Sequence, residues 1–173
     1  MVKILLKDHS NLFELSVSST TRKPRIGEIN GYHYNFREFQ DMDNDIKEGK
    51  FIEYAKVHGN LYGTSFDAVK KIIDHQKYPI LEIDYQGVMN VIKKNMNPLT
   101  LFIMPPSFEI LEQRLRSRKT ETEESIIERL KNAKKEIEFG NTSKSVDDIL
   151  INDDLLICYA EMKEIINKKL VKL

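Results

Sequence analysis

The sequence predicts an α/β fold built on a parallel sheet, and three observations carry that prediction. Short apolar runs alternate with helix-spaced stretches along most of the chain. The clearest unit spans 99–118, where Leu101-Phe102-Ile103-Met104 reads as a strand, Pro105-Pro106 as a turn, and SFEILEQRLRSR as a helix. One region, 22–57, breaks the rhythm and reads as a small α+β insertion on the parallel core.

The elements follow in order. A strand is predicted to end at Ser16–Arg25, SVSSTTRKPR. The insertion then gives a turn (KPRIGEING), a short strand (YHYNF), a charged helix (REFQDMDNDIKEG) and a strand (FIEYAKV). Pro79–Ile83 is a short apolar run, and the following DYQG leads into a helix over Val88–Lys93. In the 99–118 unit, Ser107 suits an N-cap, and Ile110, Leu111 and Leu115 have helical spacing. Asp148–Ile151 reads as the last strand and Leu155–Leu170 as a terminal amphipathic helix.

The 173 residues fit one domain with room for a small inserted subdomain. Lys plus Arg and Asp plus Glu both number 27. That balance argues against broad nucleic-acid binding, which needs a basic surface, but leaves room for one phosphate held by a local arginine cluster. No apolar run approaches the roughly 18–20 residues of a membrane span, and MVKILLKDHS is too short and charged for a secretory signal. The single cysteine, Cys158, forms no internal disulfide and reads as a small buried helix residue of a cytoplasmic protein. His9, His33, His58 and His75 lack the spacing of a metal site.

Four stretches carry candidate chemistry. In SVSSTTRKPR, Arg22 and Arg25 lie among hydroxyl residues at a strand end; guanidinium forks pair bidentately with phosphate, although a solvated basic turn is the commoner role of such a cluster. Glu53 precedes Gly59-Asn60-Leu61-Tyr62-Gly63-Thr64; a carboxylate there accepts both donors of the guanine edge, and the plainer alternative is an exposed acid before a turn. In Glu82-Ile83-Asp84-Tyr85-Gln86-Gly87, acids at the carboxyl end of a parallel strand sit where open α/β sheets take ligands, while Asp84 equally suits a helix cap. The segment from Arg114 to Glu124, followed by Arg129, reads either as an arginine-bearing lid or as a salt-bridged helix pair.

Taken in order, SVSSTTRKPRIGEINGYHYNF, FIEYAKVHGNLYGT, LEIDYQGV, FIMPPSFEILEQRLRSRKTETEESIIERL and INDDL resemble the guanylate kinase family over essentially the whole chain. The resemblance implies a P-loop-kinase-like parallel sheet with helices on both faces, a GMP-binding insertion and a helical lid. Residues 1–21 and 65–173 would form the core, with the lid near 114–130, and 22–64 the GMP-binding subdomain. The implied reaction is transfer of the ATP γ-phosphoryl group to GMP with Mg²⁺, in a cytoplasmic monomer without nucleic-acid or membrane partners. By resemblance, Arg22, Arg25, Tyr34 and Tyr62 would hold the GMP phosphate, and Ser18, Glu53, Thr64 and Asp84 would read guanine. Gly63, Gln86 and Gly87 would shape the pocket wall. Arg118 and Arg129, with Arg114, would reach the ATP phosphates, and Asn152 and Asp153 would lie near the adenine.

One departure stands out. Nothing matches the phosphate loop G-x-x-x-x-G-K-[ST]; the first glycine is Gly27, and Val2–Leu6 resembles the helix that follows that loop. The resemblance therefore implies a chain missing one core strand and the loop, with ATP use more affected than GMP binding and near-zero turnover alone. The alternatives are a non-catalytic guanylate-kinase-like module recognising GMP or phosphopeptides, and an α/β domain whose arginines only decorate its surface.

Overall fold

The computed structural model describes residues 1–57, 59–117 and 122–173. The chain falls into two compact units, Val2–Pro98 and Met1 with Leu99–Leu173.

In the first unit, helix α1 (Val2–Asp8) leads into β1 (Phe13–Leu15), which runs parallel to β6 (Tyr78–Ile80). A separate four-stranded sheet has the order β3 (Asn35–Phe36), β2 (Ser19–Thr20), β5 (Asn60–Ser65), β4 (Phe51–Val57). Strands β4 and β5 are antiparallel, with Glu53 opposite Thr64 and Tyr54 opposite Gly63. Helix α2 (Phe39–Lys47) follows from the apolar spacing of Met42 and Ile46, and Met42 is fully buried against Phe51 and Leu61. Helix α3 (Phe66–Asp74) starts where Ser65 Oγ accepts the Ala68 N–H at 3.2 Å. Its Val69 joins Ile52 and Val91 of helix α4 (Tyr85–Lys93) in the second apolar cluster.

The second unit holds the predicted strand–turn–helix. Strand β7 (Leu101–Met104) lies parallel to β8 (Asp148–Ile151), and α5 (Phe108–Ser117) and α6 (Glu123–Thr142) fall between them in the chain. Ser107 caps α5 as its position suggests, its Oγ accepting the Ile110 N–H. Thr122 caps α6, and Asp154 caps α7 (Leu155–Lys169) with two bonds. Leu150, Cys158, Met162 and Ile166 form the buried side of β8 and α7, so Cys158 takes the packing role its position suggests. Among the described residues, no helix is long and apolar enough to cross a membrane.

Three elements differ from their sequence reading. The YHYNF run contributes only Asn35–Phe36 to the sheet, because Gly31, at φ +80°, donates its N–H to the Tyr34 carbonyl and closes a turn. The 79–83 run leaves its ladder after Ile80, since β1 ends at Leu15; Leu81 and Ile83 still pack on the Ile52 cluster. Helix α4 starts at Tyr85 rather than Val88, because the Asp84 carboxylate accepts the Gly87 N–H at 2.9 Å.

Gly140 of α6 faces the Phe102 ring so closely that an added Cβ would lie 2.6 Å from two ring carbons. Gly140→Ala gains about 1 kcal/mol of helix propensity but overpacks the site by about 1–3 kcal/mol. The expected result is a lower midpoint in thermal unfolding, recovered when Phe102→Leu is added.

Candidate functional site

Strand β2 delivers Arg22 to the site, and its hydroxyls fix it there. Thr20 Oγ1 donates to the Leu61 carbonyl at 3.0 Å and accepts the Arg22 N–H at 3.2 Å. Thr21 Oγ1 accepts the Leu61 N–H at 2.9 Å. These two hydroxyls therefore staple the end of β2 to β5, and the Thr20 O–H is spent on the Leu61 carbonyl. Ser18 Oγ, by contrast, meets Thr64 Oγ1 at 3.1 Å on the neighbouring strand.

The Arg22 guanidinium makes a bidentate pair with Glu28, Nη1 to Oε2 and Nη2 to Oε1, both at 2.9 Å. Nη1 also donates to the Lys23 carbonyl at 2.7 Å. The fork lies 5.5 Å from the Tyr34 ring centroid and 5.7 Å from that of Phe36. Tyr34 meets Tyr62 edge to face at 6.1 Å. Glu28 also accepts the Arg25 backbone N–H at 2.6 Å, while the Arg25 residue itself is exposed. The Arg22 pair, with the Arg25 N–H, holds the Glu28 carboxyl down to about 2, and the Arg22 pKa is raised chiefly by the same pair. Burial raises the Tyr34 phenol.

The second cluster centres on Glu53, only 4% exposed on β4. Burial raises its pKa, hydrogen bonding from Thr64 opposes that shift, and the nearby Asp84 carboxylate adds to it. Two glycines make room for the carboxylate's strand and tip. A Cβ on Gly63 would lie 2.7 Å from the Glu53 carbonyl oxygen, and one on Gly87 would lie 2.9 Å from Glu53 Oε2 and 3.0 Å from Ile83 Cβ. Asp84 is the cap of α4, one of the two roles its spacing allowed, and its other oxygen receives the Gln86 side-chain amide at 3.2 Å. The first unit thus gathers Ser18, Arg22, Tyr34, Glu53, Tyr62, Gly63, Thr64, Asp84 and Gly87 through direct contacts or one shared neighbour. Glu28, which the candidate stretches did not single out, pairs with the Arg22 guanidinium and accepts the Arg25 backbone N–H.

In the second unit, Arg114 donates to the carbonyls of Asn152 at 2.6 Å and Asp153 at 3.2 Å, tying α5 to the turn after β8. Arg129 is half-buried on α6, and Arg118 lies outside the described residues. Arg116 pairs with Glu112 and, across the junction to α6, with Glu123 at 2.5 and 2.8 Å. That ion pair is the salt-bridged helix pair which the sequence offered as the plainer alternative for this segment.

The four-stranded mixed sheet with its buried carboxylate and adjoining arginine fork, beside the parallel strand pair β1–β6, defines an α/β protein with a candidate anion site. The family model described as guanylate kinase matches residues 1–169, and the chain belongs to the guanylate kinase family. It is 46% identical over 167 residues to guanylate kinase 1 of Oryza sativa subsp. japonica, covering 96% of this chain but 44% of that relative. The chain thus spans less than half of the rice protein's length. It is 45% identical over 172 residues to the guanylate kinase of Sus scrofa, covering 99% of this chain and 87% of the relative. The crystal structure of guanylate kinase from Anaplasma phagocytophilum superposes with a TM-score of 0.74 at 27% identity, over 96% of this chain and 81% of that one.

Proposed function

We propose that this chain binds GMP in its Val2–Pro98 unit as the phosphoryl acceptor of a guanylate kinase, with ATP as donor and GDP as product. The observation that carries the reading is the buried Glu53 carboxylate beside Thr64 and Asp84, in the same unit as the Arg22 fork. Guanine offers N1–H and a 2-amino group on one edge, and an ionised carboxylate accepts both; adenine offers neither donor there. A buried polar site left unpaired rejects the wrong base by roughly 10⁴-fold or more. Ser18 and Thr64 extend the same polar wall, and Asp84, at the α4 cap, reads guanine beside Glu53. Arg22 and Arg25 take the phosphate, with Tyr34 and Tyr62 contributing hydroxyls.

In the second unit, Arg129 and Arg118 are the proposed cations for charge that develops on the transferring phosphoryl group. Arg114 holds the Asn152–Asp153 turn, the segment proposed for the adenine side. Among the described residues no three or more His, Cys, Asp or Glu side chains gather in a metal-binding group. Mg²⁺ is proposed to arrive with the donor nucleotide, held through phosphates and water as that ion prefers. The chain's own contribution to the reaction is to bind, orient and neutralise, which is most of what phosphoryl transfer requires of a protein.

Calorimetric titration with GMP, AMP and a phosphoserine peptide tests the reading, alongside a coupled assay of GDP formation. GMP binding with no peptide response supports an acceptor site. Peptide binding without guanine preference would favour the non-catalytic module. Gly87→Ala gives a local check: it pushes the Glu53 carboxylate out of line and is expected to weaken GMP binding on the order of tenfold, while phosphate contacts stay intact.

A further inference from the structure

We propose that Asn30 is a site of spontaneous covalent modification, converting to aspartate and isoaspartate through attack by the Gly31 backbone nitrogen. Asn30-Gly31 is the chain's one asparagine–glycine pair, and both residues are exposed. Water is the one co-reactant. The Gly31 nitrogen gives up its proton and bonds to the Asn30 side-chain carbonyl carbon. The bond from that carbon to the amide nitrogen breaks, and ammonia leaves. Water then opens the resulting succinimide. Opening at the side-chain carbonyl leaves aspartate; opening at the main-chain carbonyl leaves isoaspartate, with the backbone routed through the β carbon.

The folded turn supplies the conditions for this step and one lock upon it. A Cβ built on Gly31 would meet no heavy atom within 4 Å, so the space beside the attacking residue is open. The Phe36 N–H donates to Asn30 Oδ1 at 2.8 Å. That bond polarises the carbonyl, and it is already aimed at the oxygen on which negative charge grows during attack. Strand β3 lies at the edge of its sheet, which leaves the Phe36 N–H to Asn30. The lock is the Gly31 N–H, which donates to the Tyr34 carbonyl at 2.8 Å. The nitrogen attacks only when that bond opens, so the rate follows local opening of an exposed turn.

Isoaspartate inserts a methylene group into the backbone. It draws the side chain off the Phe36 N–H and breaks the bridge between Asn30 and Tyr34. The Tyr34 and Phe36 rings lie 5.5 and 5.7 Å from the Arg22 guanidinium, so the lesion loosens the phosphate end of the site. This consequence rests on the GMP reading above; the modification itself does not.

The test ages the full chain in mildly alkaline buffer and maps its digest by mass spectrometry, with isoaspartate scored by enzymatic methylation. Asn30 is expected to convert on the order of tenfold faster than the other asparagines in the same digest, because its reacting groups are held together. Both products should form, and conditions that slow amide exchange at Gly31 should slow conversion by the same factor. Asn30 left intact while other asparagines convert would overturn the proposal. So would aspartate without isoaspartate, the mark of direct hydrolysis. The purified isoaspartate form should bind GMP on the order of tenfold more weakly than the intact form. Asn30→Gln, whose longer side chain closes its ring far more slowly, should keep its GMP affinity on ageing. An equal loss in N30Q would place the damage elsewhere and refute the consequence. Should N30Q not fold, the intact and modified wild-type forms, separated by ion exchange, give the same comparison. Fresh wild type that fails to prefer GMP over AMP removes the acceptor-site reading and leaves the modification site standing.

Discussion

Glu53→Gln is expected to lower GMP affinity by about 10²–10³-fold while raising the thermal stability of the ligand-free chain. Both effects come from the same burial. An ionised carboxylate at this position accepts the two guanine donors, whereas a glutamine offers one acceptor and sets its own amide hydrogens against the second donor. Without ligand, the buried charge is a liability. Burial raises the Glu53 pKa above its value in the unfolded chain, against the opposing pull of Thr64. A group shifted in that direction contributes stability that is complete below the unfolded pKa and lost as pH rises through the folded one. At neutral pH wild type has lost that contribution and E53Q never depended on it. The midpoint difference between the two should therefore be largest near pH 7 and should shrink as pH falls towards the ordinary carboxylate range. Over the same fall in pH, wild-type GMP affinity should weaken, since the protonated acid has become a donor facing donors. Thermal melts and calorimetry at matched pH values check both halves.

Arg22→Ala is expected to weaken GMP binding by about 10²–10³-fold and to leave guanosine binding nearly unchanged. The fork is held in plane by its bidentate pair with Glu28 and lies against the neighbouring Tyr34 and Phe36 rings. Its removal also strands the Glu28 carboxylate, which keeps only the Arg25 N–H. The midpoint of thermal unfolding should therefore also fall. Arg22→Lys should rescue little of the binding, because an ammonium cannot pair with Glu28 and a phosphate through two separate edges. An Arg22→Ala chain with wild-type GMP affinity would show the phosphate lies elsewhere, and the guanosine control separates that outcome from misfolding.

The fold was legible in the chain wherever local rules agree. The Leu101–Met104 strand, the Pro105-Pro106 turn and the Ser107 cap are each specified by neighbours in sequence. Glu53 and the STT hydroxyls were legible as residues but not in their partners. Thr20 and Thr21 bond to Leu61, some 40 positions away, and spacing along one strand says nothing about that pairing. Glu28 was missed because it sits in a turn dominated by Gly27 and Gly31, where an acid ordinarily reads as solvated. A carboxylate six residues after an arginine, within a glycine-closed turn, was the available signal. Arg116 shows the same limit: its bond to Glu123 depends on how α5 and α6 meet, not on helical spacing within either. Strand lengths were overestimated at 32–36 and 79–83, because a ladder ends where its partner ends and apolar character continues past that point.

The central claim is that one pocket in the Val2–Pro98 unit recognises both the base and the phosphate of a guanine mononucleotide. The most direct measurement is a two-by-two calorimetric comparison of GMP, AMP, guanosine and adenosine on the wild-type chain. GMP is expected to bind at least 100-fold more tightly than AMP and than guanosine, since a buried carboxylate and an arginine fork each discriminate. Equal affinity for GMP and AMP, or for GMP and guanosine, would contradict it.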